Sequence, residues 1–164
     1  MRKNVKLENE LYEPMRQWLQ EYLEDRYPKC KIITQDTSEF NLDDALQRYG
    51  LVSKFPEAVG LPIQIDVLGI IQGENDTKLA FIEAKKTKLN THNLGQLLIY
   101  CRLINPVDSF LLSSVSMGSL NKILKNLNRQ DILKYGQNNE HIMHVGTWNV
   151  LENHPDMGTM IPAL

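Results

Sequence analysis

Two acidic residues and one lysine interrupt apolar segments in the middle of the chain. Asp66 lies within the run IQIDVLGII, and Glu83 and Lys85 lie at the end of the run LAFIEAK. A carboxylate in a buried strand is costly unless it is paired or binds a cation. Side chains two residues apart share one face of a strand, so Glu83 and Lys85 point the same way. If the two runs pair, two carboxylates and an ammonium group converge, which suits a hard cation such as Mg²⁺.

Such a site has a definite chemistry. A bound divalent cation activates water and neutralises the charge that builds on a phosphate. A neighbouring lysine can orient or deprotonate that water, or stabilise the developing negative charge. The acid-x-Lys spacing alone is not specific, because it occurs twice in this chain. Asp76 and Lys78 lie in a polar turn, whereas Glu83 and Lys85 end an apolar strand, so only the second pair predicts a site.

The elements that must position these side chains are two strands joined by a turn. Residues 63–71 are β-branched and apolar, and they predict a central strand with Asp66 in its middle. Residues 79–84 predict the next strand. The polar, Gly-containing segment QGENDTK between them is typical of an antiparallel hairpin, which would bring Glu83 beside Asp66.

Further helices and strands are predicted on both sides of this hairpin. Apolar residues at helical spacing predict a first helix over residues 7–24, in which Pro14 marks a kink or a late start. The other predicted elements are a strand at 30–34, a loop over 35–61 with a helical turn near Asp43–Tyr49, a helix over 92–104 capped by Thr91 or Asn93, a strand at 109–115, short helices over 119–127 and 130–135, a strand at 141–145, and an irregular tail from Glu152. This order indicates an α/β domain with a mixed sheet.

The succession IQIDVLGII, turn, LAFIEAKK and a helix containing QLLIY resembles the PD-(D/E)xK nuclease superfamily, over about residues 7–115. That resemblance implies a restriction-endonuclease-like fold, in which helices flank a mixed central sheet. It also implies that Asp66 and Glu83 bind the metal, that the backbone carbonyl of Ala84 is a further ligand, and that Lys85 is the catalytic lysine.

Two more motifs of that superfamily have matches here. Many members carry a glutamate on the first helix, and the run E-x-x-L-Y makes Glu8 the candidate, with Glu10 and Glu13 as rivals. Glu8 could equally be a solvated carboxylate at a helix start. One branch carries Q-x-x-x-Y, which Gln96 and Tyr100 match on one helix face. There they could contact the lysine or a DNA phosphate, or simply form the edge of an amphipathic helix.

Composition sets the remaining expectations. The chain has 164 residues and a formal net charge of −2, which disfavours a protein that coats nucleic acid by charge alone. We expect a single domain over 1–164, with a core at 7–115 and a helical and irregular extension at 116–164. No apolar run could cross a membrane and the N-terminus has no secretory signal, so we expect a cytoplasmic protein whose two cysteines are thiols.

The residues and the resemblance together predict an enzyme. We expect a Mg²⁺-dependent deoxyribonuclease of restriction or repair type, with Mn²⁺ as a substitute, and an endonuclease rather than an exonuclease. A homodimer would make two symmetric cuts simple, and an additional DNA-recognition domain or subunit fits the chain's small size. Ile65 departs from the proline that the motif name implies before Asp66. The alternatives are a catalytically inactive nucleic-acid-binding or scaffold module with the same ion pair, and a nuclease that acts on RNA.

Overall fold

A mixed β-sheet organises the computed structural model, which describes residues 5–164. Six strands of this part of the chain form the sheet in the order β1-β2-β3-β4-β7-β8. Their bounds are β1 Lys31–Asp36, β2 Val67–Gln72, β3 Thr77–Lys85, β4 Asp108–Ser113, β7 His144–Asn149 and β8 His154–Pro155, while β5 (Lys134–Tyr135) and β6 (His141–Ile142) form a separate small pair. Strands β3, β4 and β7 are parallel and the other neighbours are antiparallel, so the sheet is mixed as predicted.

Helices cover both faces of this sheet. On one face, α1 (Tyr12–Arg26) packs its buried residues against side chains of β2, β3 and β4. On the other face, α2 (Leu42–Arg48) and α3 (Thr91–Ile104) enclose a second core. Because β2, β3 and β4 are buried on both faces, they appear in the sequence as nearly continuous apolar runs. The mixed α/β class predicted from the sequence is confirmed.

The hairpin that bears the candidate site forms antiparallel as predicted, but its first strand begins later. Strand β2 starts at Val67, so Asp66 precedes the strand instead of lying in its middle. The backbone before Val67 is bonded elsewhere: Thr37 donates its amide to the Asp66 carbonyl and its hydroxyl to the Ile65 carbonyl. The Leu42 amide likewise donates to the Ile63 carbonyl. These bonds tie residues 63–66 to the loop after β1 and remove them from the ladder.

The helix starts also differ from the prediction. Residues Glu8–Leu11 form a 3₁₀ turn, and α1 begins at Tyr12. This is the late start that Pro14 indicated, because proline is tolerated in the first turn of a helix. Helix α3 is capped by Asn90, not by Thr91 or Asn93. The Asn90 and Asn93 side chains each accept a hydrogen bond from the backbone amide of the other, which satisfies two amides that the helix leaves free.

The C-terminal part contributes more to the sheet than the sequence predicted, which was one strand at 141–145 within a helical and irregular extension over 116–164. Strand β7 pairs in parallel with β4, and Val145 forms an additional bridge with Ile161. The two short helices predicted at 119–127 and 130–135 are a π-helical turn (Lys122–Asn126) and a 3₁₀ turn (Gln130–Leu133). A short strand run next to turn residues gives too little periodicity to identify β7, so its role in the sheet could not be predicted.

None of the helices that the structure describes is long and apolar enough to span a membrane.

The close packing of α1 on β2 leads to a stability prediction. A Cβ atom at Gly69 would lie 2.7 Å from Leu23 Cδ1 and 3.2 Å from Leu19 Cδ2, both in the buried core. We expect Gly69→Ala to lower the free energy of unfolding by about 1–3 kcal/mol, because the core must shift to admit a methyl group. Gly95→Ala is the matched control, since Gly95 is helical with open space around it and should become more stable by about 0.5–1 kcal/mol. Urea denaturation checks both, and equal effects of the two changes would contradict this packing.

Candidate active site

Asp66 continues the β2–β3 ladder with its side chain. Val67 is paired with Ile82, so Asp66 comes beside Glu83 as the antiparallel register runs on. The Asp66 Oδ2 atom accepts a hydrogen bond of 2.8 Å from the Ala84 amide. If β2 extended further, that amide would donate to a backbone carbonyl instead. Only 9% of Asp66 is exposed. The carboxylate is therefore held in one orientation by the edge of the neighbouring strand.

The backbone of Ala84 faces the same place. In an antiparallel ladder the N–H and C=O of one residue point to the same side of the strand. The Ala84 amide points to Asp66, and the next carbonyl, that of Lys85, accepts from Ser114 on the opposite side. The Ala84 carbonyl is thus directed to the side of Asp66, beyond the first residue of β2, where no strand within residues 5–164 pairs with it.

Glu83 and Lys85 share one face of β3, as predicted. The Lys85 Nζ atom lies 3.8 Å from Glu83 Oε1. The alternate residues Leu79 and Phe81 on this face belong to the core under α3, and only 8% of Glu83 is exposed. Burial raises the pKa of the Glu83 carboxyl well above its usual range, and the neighbouring Asp66 carboxylate raises it further, whereas Lys85 opposes the shift.

Tyr12 is a neighbour of the site that the sequence analysis did not single out. It is the first residue of α1 and is 8% exposed. Burial raises the pKa of its hydroxyl, and the carboxylates of Asp66, Glu8 and Glu83 act in the same direction. The phenol therefore stays protonated beside these carboxylates and can donate a hydrogen bond to one of them. Its spacing of four residues from Glu8, within the E-x-x-L-Y run, is the signal that could have identified it.

The three candidate glutamates near the N-terminus differ in their hydrogen-bond and ion-pair partners. Glu8 Oε1 accepts a hydrogen bond of 3.1 Å from the Lys86 amide, directly after β3. Glu10 instead accepts from the amides of its own turn, and Glu13 forms an ion pair with Arg16. Of these three glutamates, Glu8 is therefore the one that the structure places at the end of β3 beside the candidate site.

Gln96 and Tyr100 contact each other more closely than they contact the site. The Gln96 Nε2 atom lies 3.4 Å from the Tyr100 hydroxyl, one turn apart on α3. Within residues 5–164, neither side chain forms a hydrogen bond with Asp66, Glu83 or Lys85. Gln96 is exposed, and α3 covers the sheet face that bears Lys85. Their contact with phosphate remains a prediction.

The donor set at the hairpin fits a hard divalent cation. The carboxylates of Asp66 and Glu83 and the carbonyl of Ala84 are oxygen donors at one point of the sheet, and Mg²⁺ prefers oxygen ligands. The described residues contain no group of three or more His, Cys, Asp or Glu side chains suited to a metal. A cation here would complete its coordination with water or substrate oxygens, which Mg²⁺ commonly retains.

Comparison with protein-family models, with curated proteins and with solved structures found no match to this chain.

The buried carboxyl of Glu83 makes a pH-dependent prediction for the metal-free protein. Its pKa is raised on folding, so the folded state holds a proton that the unfolded state releases above about pH 4.3. Stability should therefore fall as pH rises from there toward the folded-state pKa. We expect Glu83→Gln, which needs no proton, to raise the free energy of unfolding by about 1–3 kcal/mol at pH 7.5.

This gain should disappear near pH 4, where Glu83 is protonated in both states. Urea denaturation in EDTA at several pH values checks the expectation, with Glu57→Gln, an exposed glutamate, as the matched control. If Glu83→Gln is less stable than the wild type at pH 7.5, burial does not destabilise the ionised Glu83 carboxylate as we expect.

Proposed function

We propose that this protein is a metal-dependent DNA nuclease with a restriction-endonuclease-like fold. The observation that carries the proposal is the placement of Asp66 on the Ala84 amide, beside Glu83 and on the strand that ends at Lys85. Two nearly buried carboxylates and one ammonium group thus meet at the open end of a hairpin. This is the arrangement that the resemblance to the PD-(D/E)xK superfamily implies.

Each residue of the hairpin would have its own task. Asp66, Glu83 and the carbonyl of Ala84 would hold Mg²⁺ or Mn²⁺, which supplies an activated water and neutralises charge on the scissile phosphate. The Lys85 ammonium, near Glu83 at 3.8 Å, orients the attacking water and stabilises negative charge on the phosphate oxygens. As the resemblance implies, the products would carry 5′-phosphates.

The flanking residues would position this set. Glu8 binds the Lys86 amide and thereby fixes the chain directly after Lys85. The protonated Tyr12 hydroxyl can donate to the adjacent carboxylates and hold them in place. Gln96 and Tyr100, on the helix that follows β3, would contact the DNA backbone. Lysines at the end of β3 add a local positive charge to an otherwise slightly acidic chain.

The assembly and location follow from the same proposal. A homodimer would place two such sites for cleavage of both strands, and an additional DNA-recognition domain or subunit would supply specificity. The cysteines Cys30 and Cys101 are free in this structure, which agrees with a cytoplasmic enzyme.

A catalytically inactive module is the second candidate. The observation that favours it is that the described part of the chain leaves no buried polar side-chain atom without a hydrogen-bond partner, so the site needs no cation to be satisfied. Metal binding separates the two functions, because a structural ion pair should not respond to Mg²⁺ or Mn²⁺. RNA in place of DNA is tested by the same assay with a labelled RNA.

The decisive assay is cleavage of supercoiled plasmid and end-labelled linear DNA with Mg²⁺ or Mn²⁺. We expect cutting by the wild type, and a loss of about 10²–10³-fold in Asp66→Asn and in Lys85→Ala, because each removes a group that stabilises charge in the transition state. Asp76→Asn and Lys78→Ala are matched controls: they are also an acid-x-Lys pair, with Nζ to Oδ2 at 3.7 Å. The sequence placed both in the turn, but Lys78 is the second residue of β3, so the pair lies at the opposite end of the hairpin from Glu83 and Lys85.

The control variants should cut DNA as fast as the wild type, and EDTA should abolish cutting by every one of these proteins. Circular dichroism confirms that each variant is folded before it is assayed. Full activity of Asp66→Asn or Lys85→Ala would refute the site. A folded wild type that neither cuts nucleic acid nor binds Mn²⁺ would favour the inactive module instead.

A further inference from the structure

A cleft of about 880 Å³ opens beside the candidate active site. Its lining includes two exposed lysines, Lys88 and Lys125, the buried Met117, and the side-chain amides of Asn121 and Gln130. This volume is within the range of small-molecule sites. The proposed chemistry at Asp66, Glu83 and Lys85 uses none of these residues.

The sheet register connects the cleft to the site. Lys85 on β3 is paired with Ser113 on β4, and Ser113 is paired with Thr147 on β7, which lines the cleft. Residues directly opposite in neighbouring strands point to the same face. Two strand spacings separate Lys85 from Thr147, about 10 Å at 4.8 Å each. The cleft therefore opens on the sheet face that bears the proposed catalytic lysine, roughly one to two nucleotides away.

Hydrogen bonds join two segments that line the cleft: the chain directly after Lys85 and the loop after β4. Ser114 donates its amide to the Lys85 carbonyl, and Leu89 donates its amide to the Ser116 carbonyl. Gly118 lies in the left-handed region at φ +55°, and a Cβ atom there would be 2.1 Å from the Leu89 carbonyl oxygen. A glycine is thus needed for this close approach. The segment after Lys85 and the loop after β4 form one connected wall.

The lining matches the parts of a nucleotide. The two exposed ammonium groups suit a phosphate, and the thioether sulfur of Met117 can make a favourable contact with an aromatic ring such as a base. The side-chain amides of Asn121 and Gln130 can bond a base edge. Asp156, the carboxylate of the lining, can accept from an exocyclic amino group.

We propose that this cleft binds one unpaired nucleotide of the strand that is cut, with its base against Met117 and its phosphate at Lys88 and Lys125. The choice of a nucleic acid as ligand rests on the proposed nuclease function. A base stacked inside a duplex cannot enter a cleft of this kind. The substrate is therefore DNA that carries an unpaired nucleotide beside the scissile phosphate, such as a single-stranded end or a flap.

Methionine-methyl NMR in EDTA tests this binding without any cleavage. Titration with dAMP should shift the methyl signal of Met117, which is assigned through its replacement by leucine. The signal of Met15, buried under α1 on the other face of the sheet, should stay in place. Lys88→Ala and Lys125→Ala should each weaken binding about two- to fivefold, as expected for exposed ion pairs. Lys122→Ala is the matched control, because it lies on the same turn but outside the lining, and it should bind as the wild type does.

Two further probes define the ligand. Deoxyribose 5-phosphate should bind about two- to tenfold more weakly than dAMP, because it lacks the base. A duplex with a short single-stranded tail should bind more tightly than the blunt duplex. No methyl shift with dAMP or with the tailed duplex would overturn the proposal, as would equal binding of dAMP and deoxyribose 5-phosphate.

The outcome is independent of the nuclease assay. A shift at Met117 in a protein that cuts nothing would support the nucleotide cleft and refute the nuclease. Metal-dependent cutting by a protein whose methyl signals do not move would refute the cleft alone.

Discussion

The burial of two carboxylates side by side is the constraint on which this structure depends. Asp66 and Glu83 are each less than a tenth exposed, and burial raises the pKa of Glu83, with the neighbouring Asp66 carboxylate raising it further. Another buried acid, Asp108, shows the ordinary solution: it accepts a hydrogen bond from the Tyr27 hydroxyl and lies 3.6 Å from Arg26. At the hairpin, the described residues give Glu83 an ion pair with Lys85 at 3.8 Å and give Asp66 a hydrogen bond from the Ala84 amide. A bound divalent cation would favour the ionised form of both carboxylates.

The surrounding elements serve to hold this pair in place. Hydrogen bonds from Thr37 draw residues 65 and 66 out of the β2 ladder, and the Asp66 side chain then takes the ladder position on Ala84. The turn before α1 brings Glu8 to the Lys86 amide, so the chain on both sides of the hairpin end is fixed. The same backbone continues into the cleft wall through Ser114. The end of the hairpin and the cleft wall thus belong to one hydrogen-bonded part of the chain.

The sequence allowed the hairpin, its helices and the meeting of Asp66, Glu83 and Lys85 to be predicted, because apolar runs broken by charge are a local signal. It could not predict where β2 begins, since that depends on hydrogen bonds from Thr37, almost thirty residues earlier. Strand β7 was under-predicted for a related reason: its place beside β4 comes from long-range pairing of short segments. The cleft joins residues from four separate stretches of chain, and no spacing within the sequence marks it.

Anomalous X-ray diffraction from a crystal soaked in Mn²⁺ tests the central claim most directly, because it locates the cation whether or not the correct DNA is known. The account predicts one strong anomalous peak within about 2.0–2.4 Å of oxygens from Asp66, Glu83 and Ala84, with water in the remaining positions. The same soak of an Asp66→Asn crystal should show a much weaker peak or none. Absence of any peak at the hairpin in wild-type crystals, with the two carboxylates unmoved, would contradict the proposed metal centre and the nuclease mechanism built on it.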